Sequence, residues 1–181
     1  MTLANRAELE TVLGNGRLGP VFSRHAYGMR AWVDLFAARI PHIADPDMVA
    51  LVAGIVADNA RHAVLFRSRA IIHGLDPDAY VCPPEGDAIY ARLAEITDPH
   101  ATLAYSLGSL DHFAQLLAVY ADAADDPEDL RVVEQVAVDN DRARELIRVL
   151  VGDRAAAGVE EAHELYRVRE LAETPGYANV A

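Results

Sequence analysis

Histidine and carboxamide side chains interrupt apolar stripes at helical spacing. One stripe reads Val52, Ile55, Asn59, His62, Phe66 and Ala70, and another reads Phe22, His25, Met29, Trp32 and Phe36. A third, Val133, Val136, Asn140, Ala143, Ile147 and Val151, again carries Asn inside it. His25 and His62 are two imidazoles, and Asp58 lies one helical turn before His62. Two His and one carboxylate can hold a single divalent metal with open positions for oxygen and substrate. The competing reading is two core histidines satisfied by Asn or by backbone groups. Asn59 and Asn140 either line a small-molecule pocket or pair with each other to fix helix register.

The chain repeats itself at an offset of 81 residues. Asp45-Pro46 returns as Asp126-Pro127, and Asp58-Asn59-Ala60-Arg61 returns as Asp139-Asn140-Asp141-Arg142. Leu65 meets Leu146, Arg67 meets Arg148, and Ile55 meets Val136 without a gap. Two related helical halves are expected. His25 precedes Asn59 by 34 residues, Ser106 precedes Asn140 by the same 34, and Ser106 is the repeat partner of His25. A duplicated core therefore places His25, Asn59, His62, Ser106 and Asn140 near one level, as one polar pocket. Asp58, Asp111 and Asp139 fall at the stripe edges, about 80–90° from centre.

The elements that must carry these residues are helices. Asp-Pro occurs at 45-46, 76-77, 98-99 and 126-127. Asp caps the orphan amides of a helix start and Pro suits its first position. Core helices are expected at about 19–40, 46–73, 99–122 and 127–151. Shorter helices are expected near 4–13 (stopped by Gly14-Asn15-Gly16), 86–96 and 158–173, before a frayed tail from Thr174 to Ala181. Short links join the first core pair and the second, so each pair is an antiparallel hairpin, and the connection from Leu75 to Gly86 crosses between them. No segment shows sustained two-residue alternation, so the chain reads as all-α, one domain spanning 1–181.

This arrangement resembles the ferritin-like superfamily: a four-helix bundle of two related hairpins with a long crossover and polar residues at mid-bundle. The resemblance covers about residues 19–151. It implies a Glu on each first helix and Glu-x-x-His on each second helix, holding a carboxylate-bridged metal pair. Here the matching positions read Asn59-Ala60-Arg61-His62 and Asn140-Asp141-Arg142-Ala143, with His25 and Ser106 at about the first-helix glutamate positions. Neutral Asn supplies neither the charge nor the bridge that two hard cations need. The expectation is a divergent member without a standard di-iron site and with no assigned cofactor. It binds a small molecule in the mid-bundle pocket or serves as an interaction scaffold. The alternative is a metal-dependent oxidase or hydroxylase with iron or manganese on His25, His62 and Asp58 or Asp139. A third is a non-metal enzyme with His25 or His62 as general base and the two Asn residues orienting a carbonyl.

The Asp58/Arg61 and Asp139/Arg142 pairs stand at i, i+3 and are read as surface or interhelical ion pairs. Asp111-His112 offers an acid–base dyad, but His112 points about 180° from its stripe, so a solvated face or a subunit contact is the preferred assignment. Tyr27, Tyr105 and Trp32 either border a substrate cavity or pack in the ordinary way, and packing is the preferred reading. Cys82, with Pro83 and Pro84, is expected to seal one end of the bundle.

Composition narrows the partners. The net charge is −12, and all 16 basic residues are Arg. This balance disfavours nucleic acid as a partner. One cysteine allows neither an internal disulfide nor a zinc cluster by itself. There is no run of about 18 consecutive apolar residues and no signal-like N-terminus, so the expectation is a cytoplasmic protein without a membrane span. Apolar outer-face residues allow a homodimer.

Overall fold

The computed structural model describes residues 2–14 and 17–179, with side chains described through Tyr177. Asn15 and Gly16, from the expected helix stop, and Val180 and Ala181, from the tail, lie outside the described residues. The described chain is helical without strands: α1 (Arg6–Leu13), α2 (Gly19–Ala37), α3 (Pro46–Ile72), α4 (Pro84–Glu95), α5 (Pro99–Ala123), α6 (Pro127–Val151) and α7 (Ala156–Glu173), with short 3₁₀ turns between several of them.

All four Asp-Pro signals cap as expected. Asp45 accepts from the amides of Asp47 and Met48, and Asp76 from that of Asp78. Asp98 accepts from Ala101 and Asp126 from Glu128. α6 stops at Gly152, whose φ of 53° is a conformation that costs a side-chain-bearing residue. By length and composition α3 would also suffice to cross a membrane. In the fold it packs along α2 and against α6.

Two buried apolar clusters fill the interior. One gathers Phe22, Phe66, Phe113, Tyr120, Val133 and Val136; the other gathers Trp32, Phe36, Val52, Ile55, Leu103 and Ile147. α2 lies along α3, and α5 along α6. α7 lies along α5 as closely as α6 does. Two glycines permit that approach. A Cβ on Gly108 of α5 would meet the Val159 carbonyl oxygen at 2.6 Å, and one on Gly158 of α7 would meet the Tyr105 amide nitrogen at 2.9 Å.

α5 is therefore covered on two sides, which corrects the expectation for His112. Its ring is fully buried beneath α7, with its centroid 5.2 Å from that of Tyr166. Seen from its own stripe, His112 faces away. The sequence pattern did not show that α7 closes that second face. The tail is also ordered further than expected: Thr174–Asn179 forms a 3₁₀ turn against α1, and Tyr177 is buried with its hydroxyl donating to Glu173.

Candidate functional site

α2 and α5 face each other through side chains rather than by close backbone approach. Aromatic rings hold them apart: the His25 centroid lies 4.8 Å from that of Phe113 and 5.5 Å from that of Tyr120. Spacing helices with rigid rings leaves interior volume, and two small cavities occupy it. The first, about 50 Å³, is bordered by Arg24, His25 and Trp32 of α2, by Ser109 and His112 of α5, and by Tyr166 and Arg169 of α7. The second, about 30 Å³, is bordered by Asp58 and His62 of α3, Asp139 and Asn140 of α6, and Leu110 of α5. Met29, Asn59, Leu110 and Phe113 border both.

The sequence-predicted residues are divided between these spaces. His25 borders the first, His62 and Asn140 the second, and Asn59 both. Ser106 borders neither; it is fully buried and donates to the Thr102 carbonyl of its own helix. Of the two alternatives for Asn59 and Asn140, the direct pair is absent among the hydrogen bonds of the described residues. The Asn59 amide donates to the Ile55 carbonyl, and that of Asn140 donates across to the Leu110 carbonyl. The Asn140 side-chain oxygen is left without a partner among the described residues.

His62 and His25 have separate partners. His62 Nε2 is 3.0 Å from Asp139 Oδ2. Burial raises the pKa of Asp139, but hydrogen bonds from His62, Gln135 and Arg61 outweigh it and bring the value down to about 2. An ionised carboxylate only accepts, so Nε2–H of His62 donates and Nδ1 carries the lone pair. His25 Nε2 is 3.0 Å from the Tyr120 hydroxyl, and burial holds the ring well below its ordinary value.

Around the second cavity the repeated residues form a closed ring of charges. Asp58 takes Arg61 on one oxygen at 2.9 Å and Arg142 on the other at 2.7 Å. Asp139 takes Arg61 at 2.7 Å and Arg142 at 3.3 Å. The ion pairs read from the sequence are thus both within and between helices.

A bridged metal pair does not fit this donor set. All four carboxylate oxygens of Asp58 and Asp139 face guanidinium groups, and His62 Nε2 is spent on Asp139. Among the described residues no group of three or more His, Cys, Asp or Glu side chains converges.

The sequence reading missed the polar cluster at the far wall of the first cavity. Glu173 stands between two guanidiniums: Arg24 Nε is 2.5 Å from Oε2, and Arg169 Nε is 2.9 Å from Oε1. All three side chains are buried. Tyr80 and Tyr177 donate to the same carboxylate. Arg169 also donates to the Tyr90 hydroxyl at 3.0 Å. Its guanidinium lies over the Tyr90 ring, 5.5 Å from the centroid. Cys82 sits beside this cluster, its thiol pushed up to about 11 by burial, which makes it a poor nucleophile. His112 completes the wall with both ring nitrogens unpartnered among the described residues, and burial pushes its pKa down to about 3. The one signal in the sequence was Arg24 beside His25, an arginine next to a core position.

Tyr27 borders an outer groove with Arg30 and Arg67, Tyr105 is buried with its hydroxyl donating to the Ile89 carbonyl, and Trp32 borders the first cavity. No protein-family model, curated protein or solved structure matches this chain.

Proposed function

We propose that the chain is a divergent ferritin-like bundle that binds a small polar molecule in its interior, in place of a carboxylate-bridged metal pair. The observation that carries this reading is unspent hydrogen-bonding capacity at the cavity walls. Among the described residues, both nitrogens of His112 and the side-chain oxygen of Asn140 are buried without partners. A buried polar group left unsatisfied costs about 1–3 kcal/mol, so a guest that satisfies it is favoured. The architecture supports the reading as well: two hairpins, α2–α3 and α5–α6, meet along α3 and α6, and Asn59 and Asn140 lie at the positions of the family's second-helix glutamates.

The metal-dependent oxidase reading draws on Asp58, His62 and Asp139 bordering one cavity. Arginines on both carboxylates weaken it, because cations already occupy the charge a metal would need. The His25 contribution is weakened by its partner Tyr120 and its place at the other cavity. Exposed Val138, Leu146 and Val149 on α6 support a second copy of the chain as a partner, which the solution mass tests.

Thermal denaturation across a panel of small polar solutes and of iron(II) and manganese(II) tests the main reading. Stabilisation by a solute, and none by either metal, is expected. Stabilisation by a metal alone, lost on His62→Ala, would overturn it.

A further inference from the structure

Resting on that reading, we propose that the cavity between α2, α5 and α7 binds a small planar oxyanion, a short-chain carboxylate, held by Arg24 and His112.

Charge is the first argument. Two buried guanidiniums, 4 % and 2 % exposed, share the single carboxylate of Glu173. The nearby Glu170 carboxylate is turned elsewhere, accepting from the backbone amides of Ala4 at 3.1 Å and Asn5 at 2.6 Å. Among the described residues the remaining neighbours, His25, Tyr80, Tyr90, Tyr120 and Tyr177, bring no carboxylate. Counted over the described residues, the wall is therefore one anion short, and an unpaired buried cation is costly.

Hydrogen bonding is the second argument. Among the described residues Arg24 Nε has no hydrogen-bond partner, although it lies 2.5 Å from Glu173 Oε2 as an ion pair. His112 borders the same cavity at 0 % exposure with neither ring nitrogen engaged. A planar fork and an imidazole N–H together suit a carboxylate, which accepts on both oxygens.

Size is the third. A volume of about 50 Å³ corresponds to roughly three to five waters at ~10–15 Å³ each. That is the scale of a carboxylate of two or three carbons. Leu116, Phe113 and the Trp32 ring offer the apolar remainder a surface.

Calorimetric titration with sodium acetate, chloride and acetamide at fixed ionic strength is the test, on the whole chain and on Arg24→Met and His112→Phe. Arg24→Met leaves Arg169 and Glu173 as a balanced pair, so the fold is expected to survive. Saturable acetate binding is expected, with each substitution weakening it at least tenfold and acetamide not binding. Acetate binding unchanged in both variants would overturn the proposal. Acetamide binding without acetate would overturn the oxyanion class while leaving interior small-molecule binding in place. Chloride binding without acetate would overturn the carboxylate assignment. No binding of any of the three would overturn the proposal.

Discussion

Arg142 of α6 reaches Asp58 of α3 at 2.7 Å, and Arg61 and Asp139, each 81 residues away from its counterpart, meet at the same distance in the reverse direction. The two contacts close a ring across the helix pair. Its members are not equal: both arginines are about half exposed, whereas Asp139 is 5 % exposed. Charge screening should make the arginines cheap to remove and the buried carboxylate expensive.

Arg142→Ala is accordingly expected to cost less than about 1 kcal/mol. Asp139→Asn removes the negative charge that faces His62, Arg61 and Gln135 and one of the two acceptor oxygens, and is expected to cost about 1–3 kcal/mol. Urea denaturation of the two variants checks the order. The folded pKa of Asp139 is depressed to about 2. Its contribution is therefore present above the unfolded value of about 3.9 and is lost as pH falls through about 2.

The buried imidazoles act in a higher window. Burial lowers His25 well below its ordinary value and His112 to about 3. The unfolded chain takes up these protons below about pH 6.5 and the folded chain does not, so stability falls on acidification. Each such histidine removes up to about 1.4 kcal/mol per pH unit between those limits. His112→Phe should therefore reduce the stability lost between pH 6.5 and 5 by about 1.6 kcal/mol, measured by denaturant midpoints at the two pH values.

Helix starts and the position of α3, α5 and α6 were legible because Asp-Pro punctuation is local chemistry. The expected 127–151 helix is Pro127–Val151, and the expected 46–73 helix is Pro46–Ile72. α2 ends three residues earlier than expected, at Ala37, because a 3₁₀ turn at Ile40–His42 takes up the approach to Pro41. Burial of His25, Asn59, His62, Ser106 and Asn140 was legible from helical periodicity. Their grouping was not. Periodicity places a residue on a face without saying what fills the space between faces, and here Phe113 and Phe66 lie around His25. The Arg24–Glu173–Arg169 cluster joins residues about 150 positions apart through the docking of α7, and arginine reads as a surface residue in isolation.

Asp98 and Asp126 both cap helices, but Asp126 also pairs with Arg69 at 2.6 Å. Asp98→Ala is expected to cost about 1 kcal/mol. Asp126→Ala is expected to cost more, since Arg69 loses one of its two carboxylate partners, the other being Asp129. The melting temperatures of the two variants check this order.

The α5–α7 contact depends on small residues. Gly108→Ala gains up to about 1 kcal/mol of helix propensity. The added Cβ, however, meets a backbone oxygen at 2.6 Å and the Ala162 Cβ at 2.8 Å. Overpacking of that kind costs about 1–3 kcal/mol, so net destabilisation is expected by denaturant titration. Loosening of α7 should also weaken acetate binding, because α7 carries Arg169 and Glu173.

The most direct measurement is a two-bond proton–nitrogen spectrum of the histidine rings recorded across an acetate titration. The account predicts that the His112 resonances shift saturably, report a neutral ring throughout pH 5–8, and stay fixed in Arg24→Met. His112 nitrogens that titrate near pH 6.5 and ignore acetate would contradict it.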